Sequence, residues 1–111
     1  MIRVTNITND SNQRHVVIVN EKEVFLTLRF YPVTQSWFFD IEYEGVTLYG
    51  IKASLGVRHL QGNNLPFEII LTDNSNTGLD PFKIDDFSNG RITLRFLDHV
   101  ELTALRGYPV E

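Results

Sequence analysis

Apolar side chains recur at a period of two over residues 24–51, a longer run of that pattern than any other in the chain. Within 24–31, Val24, Leu26, Leu28 and Phe30 point one way and Phe25, Thr27, Arg29 and Tyr31 the other, which predicts a strand with one wholly apolar face. Pro32-Val33-Thr34-Gln35 suits a short connection. Residues 36–43 repeat the alternation with Trp37, Phe39, Ile41 and Tyr43 on one face, so the two segments read as an antiparallel hairpin. Asp40 and Glu42 fall on the outer face of the second strand, where truncation is expected to be tolerated. Glu44-Gly45 offers a tight turn with a residue able to take positive φ, and residues 46–51 return as a third strand. A three-stranded aromatic meander is the expected nucleus of the fold.

The flanks carry weaker versions of the same signal. Residues 2–7 alternate Ile2, Val4 and Asn6 against Arg3, Thr5 and Ile7, predicting a strand that ends in the polar loop 8–13. His15-Val16-Val17-Ile18-Val19 is nearly continuous in apolarity and β-branched, the pattern of a strand buried on both faces, and Asn20-Glu21-Lys22 turns it into the meander. Residues 53–60 have neither period and are expected to be extended or irregular. Residues 67–71 form a strand between polar loops. Residues 91–97 form another, with Ile92, Leu94 and Phe96 inward and Arg91, Thr93, Arg95 and Leu97 outward. The tail, residues 100–105, alternates similarly; a short helix would also fit, and a strand is the assignment preferred. No stretch of helical period demands a helix, and no repeat is visible. About seven or eight short strands make the fold class all-β, a small antiparallel β-sandwich or partly open barrel built around the meander.

A length of 111 residues implies a single domain over 1–111 that buries roughly two-thirds of its unfolded surface. No segment approaches the ~18 apolar residues of a membrane span, and the start of the chain lacks a signal-type apolar core, so no membrane partner and synthesis in a cytoplasm are expected. The absence of cysteine excludes disulfides, thiolate nucleophiles and Cys-ligated zinc. Ten Lys and Arg against fourteen Asp and Glu give a net charge of −4, which makes nucleic acid a poor partner.

Candidate chemistry is thin. Asp73-Asn74-Ser75-Asn76-Thr77-Gly78 opens like a calcium loop, but the twelfth position, which needs a bidentate Glu, is Ile84, so a solvated turn is expected and no metal. Asp80, Asp85 and Asp86 crowd a second loop, where bonding to backbone amides is the ordinary role. His15, His59 and His99 have no metal-ligand spacing, and neither a Gly-x-Ser-x-Gly elbow nor a phosphate-cradling glycine run is present. Neither an enzyme nor a cofactor is indicated. The aromatic content of 12% is first a matter of core packing, but Phe38 and either Phe25 or Tyr31 lie on the opposite face, where a second layer or a partner must cover them. Trp37 with Tyr31 on an open face would instead make a carbohydrate- or ligand-binding module.

The order of motifs resembles the small baseplate plug family of contractile-tailed bacteriophages. The resemblance rests on Leu26-Thr27-Leu28-Arg29-Phe30, Ser36-Trp37-Phe38-Phe39-Asp40-Ile41, the Gly45 turn, Leu48, Gly50-Ile51, Leu65-Pro66, Asp80-Pro81, the Asp85-Asp86 pair and Gly90-Arg91-Ile92-Thr93-Leu94-Arg95-Phe96, over roughly residues 24–98. Phe87-Ser88-Asn89 stands where the family pattern implies a tighter loop. The resemblance implies an all-β structural virion protein of the tail baseplate near its central hub, in contact with tail-tube or hub proteins, oligomeric in the particle, without enzymatic activity or cofactor. Tyr31, Phe38, Asp85, Asp86 and Arg91 are the candidate interface residues.

Overall fold

The computed structural model describes residues 1–107. Its elements are β1 (Ile2–Arg3), β2 (Asn12–Val19), β3 (Lys22–Tyr31), β4 (Ser36–Tyr43), β5 (Val46–Lys52), β6 (Glu68–Asp73), β7 (Ile92–Leu97) and α1 (His99–Gly107). They form two antiparallel sheets, ordered β2-β3-β4-β5 and β1-β7-β6, which make an open sandwich that does not close into a barrel.

The meander is the larger sheet, and its register is the one the alternation dictates. Leu26 pairs with Ile41, Leu28 with Phe39 and Phe30 with Trp37. Facing them, Ile69 pairs with Phe96 and Leu71 with Leu94. These inner rows make one core, in which Leu26, Leu28, Trp37, Phe39, Leu94 and Phe96 are fully buried. Two-residue turns join β2 to β3 and β4 to β5, and both central residues of each take positive φ: Asn20 at 54° and Glu21 at 67°, Glu44 at 50° and Gly45 at 82°. That is the turn geometry whose twist matches flanking strands.

Four expectations need correction. The first strand is only Ile2–Arg3, although Val4 still donates to the Leu94 carbonyl at 3.0 Å and Ile7 is buried. β2 is buried on one face, not both: Val17 and Val19 face the core, while Val16 and Ile18 are 53% and 56% exposed, because the second sheet covers only the inner side of the first. The tail is a helix. Asp98 and Glu101 form a reciprocal capping box, with the Glu101 N–H donating to Asp98 Oδ1 at 2.9 Å and the Asp98 N–H donating to Glu101 Oε1 at 3.0 Å. Buried Leu102 seats that helix on the body, and cap and anchor together outweigh the period-two alternation. Finally, Asp40 is not a free outer position. It is 9% exposed, pairs with Arg29 and accepts the Gly50 N–H at 2.8 Å where β5 bulges.

Residues 53–60 are irregular, as expected, and His59 organises them. It accepts the Ser54 N–H at Nε2 at 3.0 Å, and its Nδ1 lies 2.7 Å from the Ile69 carbonyl, which makes Nδ1 the protonated nitrogen. The Leu60 N–H donates to buried Glu68 at 2.6 Å, so this segment is fastened along β6.

Candidate docking surface

The loop between β6 and β7 is polar in sequence, and its polar groups are spent internally. Asp86, 1% exposed, accepts the N–H groups of Phe82 at 2.7 Å and Lys83 at 2.9 Å and two bonds from Arg91, at 2.9 Å from Nε and 3.0 Å from Nη2. Arg91 places its remaining donors on the Thr77 hydroxyl at 3.1 Å and the carbonyls of Leu79 and Asp80 at 3.1 and 3.0 Å. All five guanidinium N–H groups are thus engaged. Burial opposes ionisation of the Asp86 carboxyl, but the bonds from Arg91, Lys83 and Phe82 and the Arg91 charge outweigh it and hold its pKa below the ordinary carboxylate range. The bond to Asp86 in turn raises the Arg91 pKa against the opposing effect of burial.

Two aromatic contacts fix the same loop to the core. The indole N–H of Trp37 donates to the Lys83 carbonyl at 3.0 Å, and Phe87 meets the Trp37 ring edge-on at 5.2 Å between centroids. Of the three residues between the acidic pair and Gly90, where a tighter loop was expected, Phe87 is buried in the core while Ser88 and Asn89 are exposed.

Held in this way, the loop leaves part of its apolar surface outward. Leu79 and Ile84 are exposed, and Phe82 lies partly exposed above the Arg91 guanidinium, 5.3 Å from its ring centroid. Beside it stands the β3–β4 connection, where Val33 is 95% exposed and Gln35 takes a positive φ of 52°. One groove runs between Thr34, Lys52, Leu79 and Pro81, and a second between Phe30, Pro32, Ile84 and Asp85, with Gln35 and Phe82 lining both. Tyr31 is exposed next to this end, and its ring packs on Phe38 at 5.3 Å.

The five candidate interface residues fall in two different settings. Tyr31, Phe38 and Asp85 reach the surface; Asp86 and Arg91 lie beneath it and hold the loop. Val33, Leu79, Phe82 and Ile84 were not singled out from the sequence. Their signal is an apolar residue inside a segment otherwise made of turn residues, where burial by the chain itself is least available. Trp37 is fully buried, which removes it from any open sugar-stacking face.

Residues 73–78 form a turn gathered on one carboxylate. Asp73 accepts from the Ser75 hydroxyl at 2.6 Å, the Ser75 N–H at 2.9 Å, the Gly78 N–H at 2.7 Å and the Thr77 hydroxyl at 3.2 Å. These bonds, with the Ser75 hydroxyl foremost, hold its pKa far below the usual carboxylate range. Among the described residues, no three His, Asp or Glu side chains are grouped so as to hold a metal ion.

The chain is thus an open antiparallel β-sandwich with an apolar end stiffened from below by a buried ion pair. The family model described as Cyanophage baseplate Pam3 plug gp18 matches residues 1–99, and the chain belongs to that baseplate plug family. No curated protein matches the sequence.

Proposed function

We propose that this protein is a structural subunit of a contractile phage tail, seated in the baseplate at the hub or plug region and packed against tail-tube or hub proteins and further copies of itself. Membership of the plug family over residues 1–99 is the observation that carries this reading. The apolar end formed by Tyr31, Val33, Leu79, Phe82 and Ile84 supplies the surface, since an exposed apolar cluster on a small domain marks an interaction site. Neither catalysis nor a cofactor has a part in this role. A stable baseplate contact should bury on the order of 800 Å² per subunit. Val33→Glu tests it. At 95% exposure the side chain contributes nothing to the monomer's core, so the variant should fold and melt like the native chain while tails carrying it fail to assemble. Normal assembly and infectivity of phage lacking the protein altogether would overturn the reading.

A further inference from the structure

A β-sandwich with two open sheets has four edges, and three of them are blunted here. β1 is two residues long. β6 is lined by the segment that His59 and Leu60 fasten to Ile69 and Glu68. β5 is bent by a bulge at Gly50, whose N–H is captured by Asp40, and it ends at Lys52. Short length, cover, bulges and terminal lysines are the devices by which proteins keep an edge from pairing.

β2 has none of them over residues 14–18. The Phe30 N–H donates to the Ser11 carbonyl at 2.9 Å, and this fixes the phase of the β2–β3 ladder: His15, Val17 and Val19 exchange their backbone bonds with Leu26, Val24 and Lys22. The N–H and C=O groups of Arg14, Val16 and Ile18 therefore point away from β3, and among the described residues no backbone hydrogen bond reaches them. Val16 and Ile18 are also the residues of this strand whose apolar side chains are exposed. Alongside runs a groove of about 330 Å³ between the two sheets, lined by Ile2, Arg3, Val4, His15 and Val17.

The geometry points to this edge as a docking site for one extended segment of a neighbouring chain, which adds a fifth strand to the larger sheet beside Arg14, Val16 and Ile18. Every second side chain of that segment would enter the groove, so apolar residues are required at alternate positions. An acidic residue where the groove meets the Ile18 end of β2 would face the exposed cation of Arg3, which makes no ion pair among the described residues, whereas Arg14 is already paired with Glu42 on the outer face of the sheet. A second copy fits less well. Its own β2 would turn Val17 and Val19 toward the groove, and both are already committed to their own core. The inference rests on the baseplate reading, which supplies the neighbour.

The test is amide hydrogen exchange of the peptide spanning 12–19, measured in the purified protein and in intact tails, together with the variant Val16→Pro. Proline removes the outward N–H and is tolerated on an edge strand. Expected are fast exchange at Val16 and Ile18 in the free protein, slowing by about tenfold or more in the tail, and a Val16→Pro protein that folds but is missing from particles. Three results would overturn the inference: equal exchange in both states, protection that grows with concentration in the purified protein alone, or normal incorporation of Val16→Pro. In each of these the wild-type protein is still found in tails. Its absence from tails would instead defeat the baseplate reading itself.

Discussion

Replacing Asp86 by alanine tests whether the buried ion pair holds the apolar end in place. The substitution removes the acceptor of four bonds, from Arg91 Nε and Nη2 and from the Phe82 and Lys83 amides. It strands a guanidinium whose side chain is only 13% exposed. Removing one partner of a buried pair costs about 3–5 kcal/mol. An unfolding entropy of about 2.1 cal/mol/K per residue makes each kcal/mol worth about 4 °C for a chain of 111 residues. The melting temperature should therefore fall by about 12–20 °C. Urea unfolding followed by Trp37 fluorescence is a suitable readout, because the indole N–H is bonded to Lys83 in the same loop. Arg91→Met should cost far less in the Asp86→Ala background than in the native chain. A loss below about 1 kcal/mol for Asp86→Ala, or strict additivity of the two substitutions, would refute the reasoning.

Trp37→Ala should cost about 3–5 kcal/mol, whereas Trp37→Phe, which keeps most of the buried ring but leaves the Lys83 carbonyl without its donor, should cost about 1–2 kcal/mol; chemical unfolding monitored by circular dichroism separates them. Asp40→Ala should destabilise by about 2 kcal/mol through the loss of Arg29 and Gly50 as partners, while Glu42→Ala, which gives up only an exposed pair with Arg14, should stay within about 0.5 kcal/mol in the same assay. Asp73 and Asp86 both titrate lower in the folded chain than in the unfolded one. Their contribution is present in full above the unfolded carboxylate value near 4 and is lost as pH falls below it, so a melting series from pH 7 to 2 should decline below about pH 4, less steeply in Asp86→Asn. Calcium should leave the melting curve unchanged, since the Asp73 carboxylate is occupied by its own turn; a site bound a hundredfold below the free calcium level would add about 2.7 kcal/mol.

What could be read in the sequence was whatever one face of a strand decides. Val24, Leu26, Leu28, Trp37, Phe39 and Ile41 occupy the core because alternation in a half-buried sheet admits no other register. β2 is ambiguous in sequence because a run of β-branched residues looks the same whether a second layer or solvent lies over Val16 and Ile18. The helix after Asp98 was written in Asp98-His99-Val100-Glu101, a capping signal set against a tail whose apolar residues also alternate. The docking end was the least legible part. It arises where the β3–β4 connection and the loop 79–85 meet, and no local pattern shows that Arg91 will spend five donors pulling that loop under Phe82. Asp86 belongs to an acidic loop pair and Arg91 to the strand motif of the family, but their effect here is mechanical: together they hold the loop beneath Phe82.

In the proposed role this sandwich is packed within the tail baseplate, with its apolar end as the contact. A cryo-electron density map of intact tails from the phage that encodes the chain tests it most directly. A seven-stranded sandwich should appear within the baseplate, with Val33 and Phe82 buried against a neighbouring subunit. A complete, infectious baseplate with no density for this chain would contradict it, as would one in which that end faces solvent.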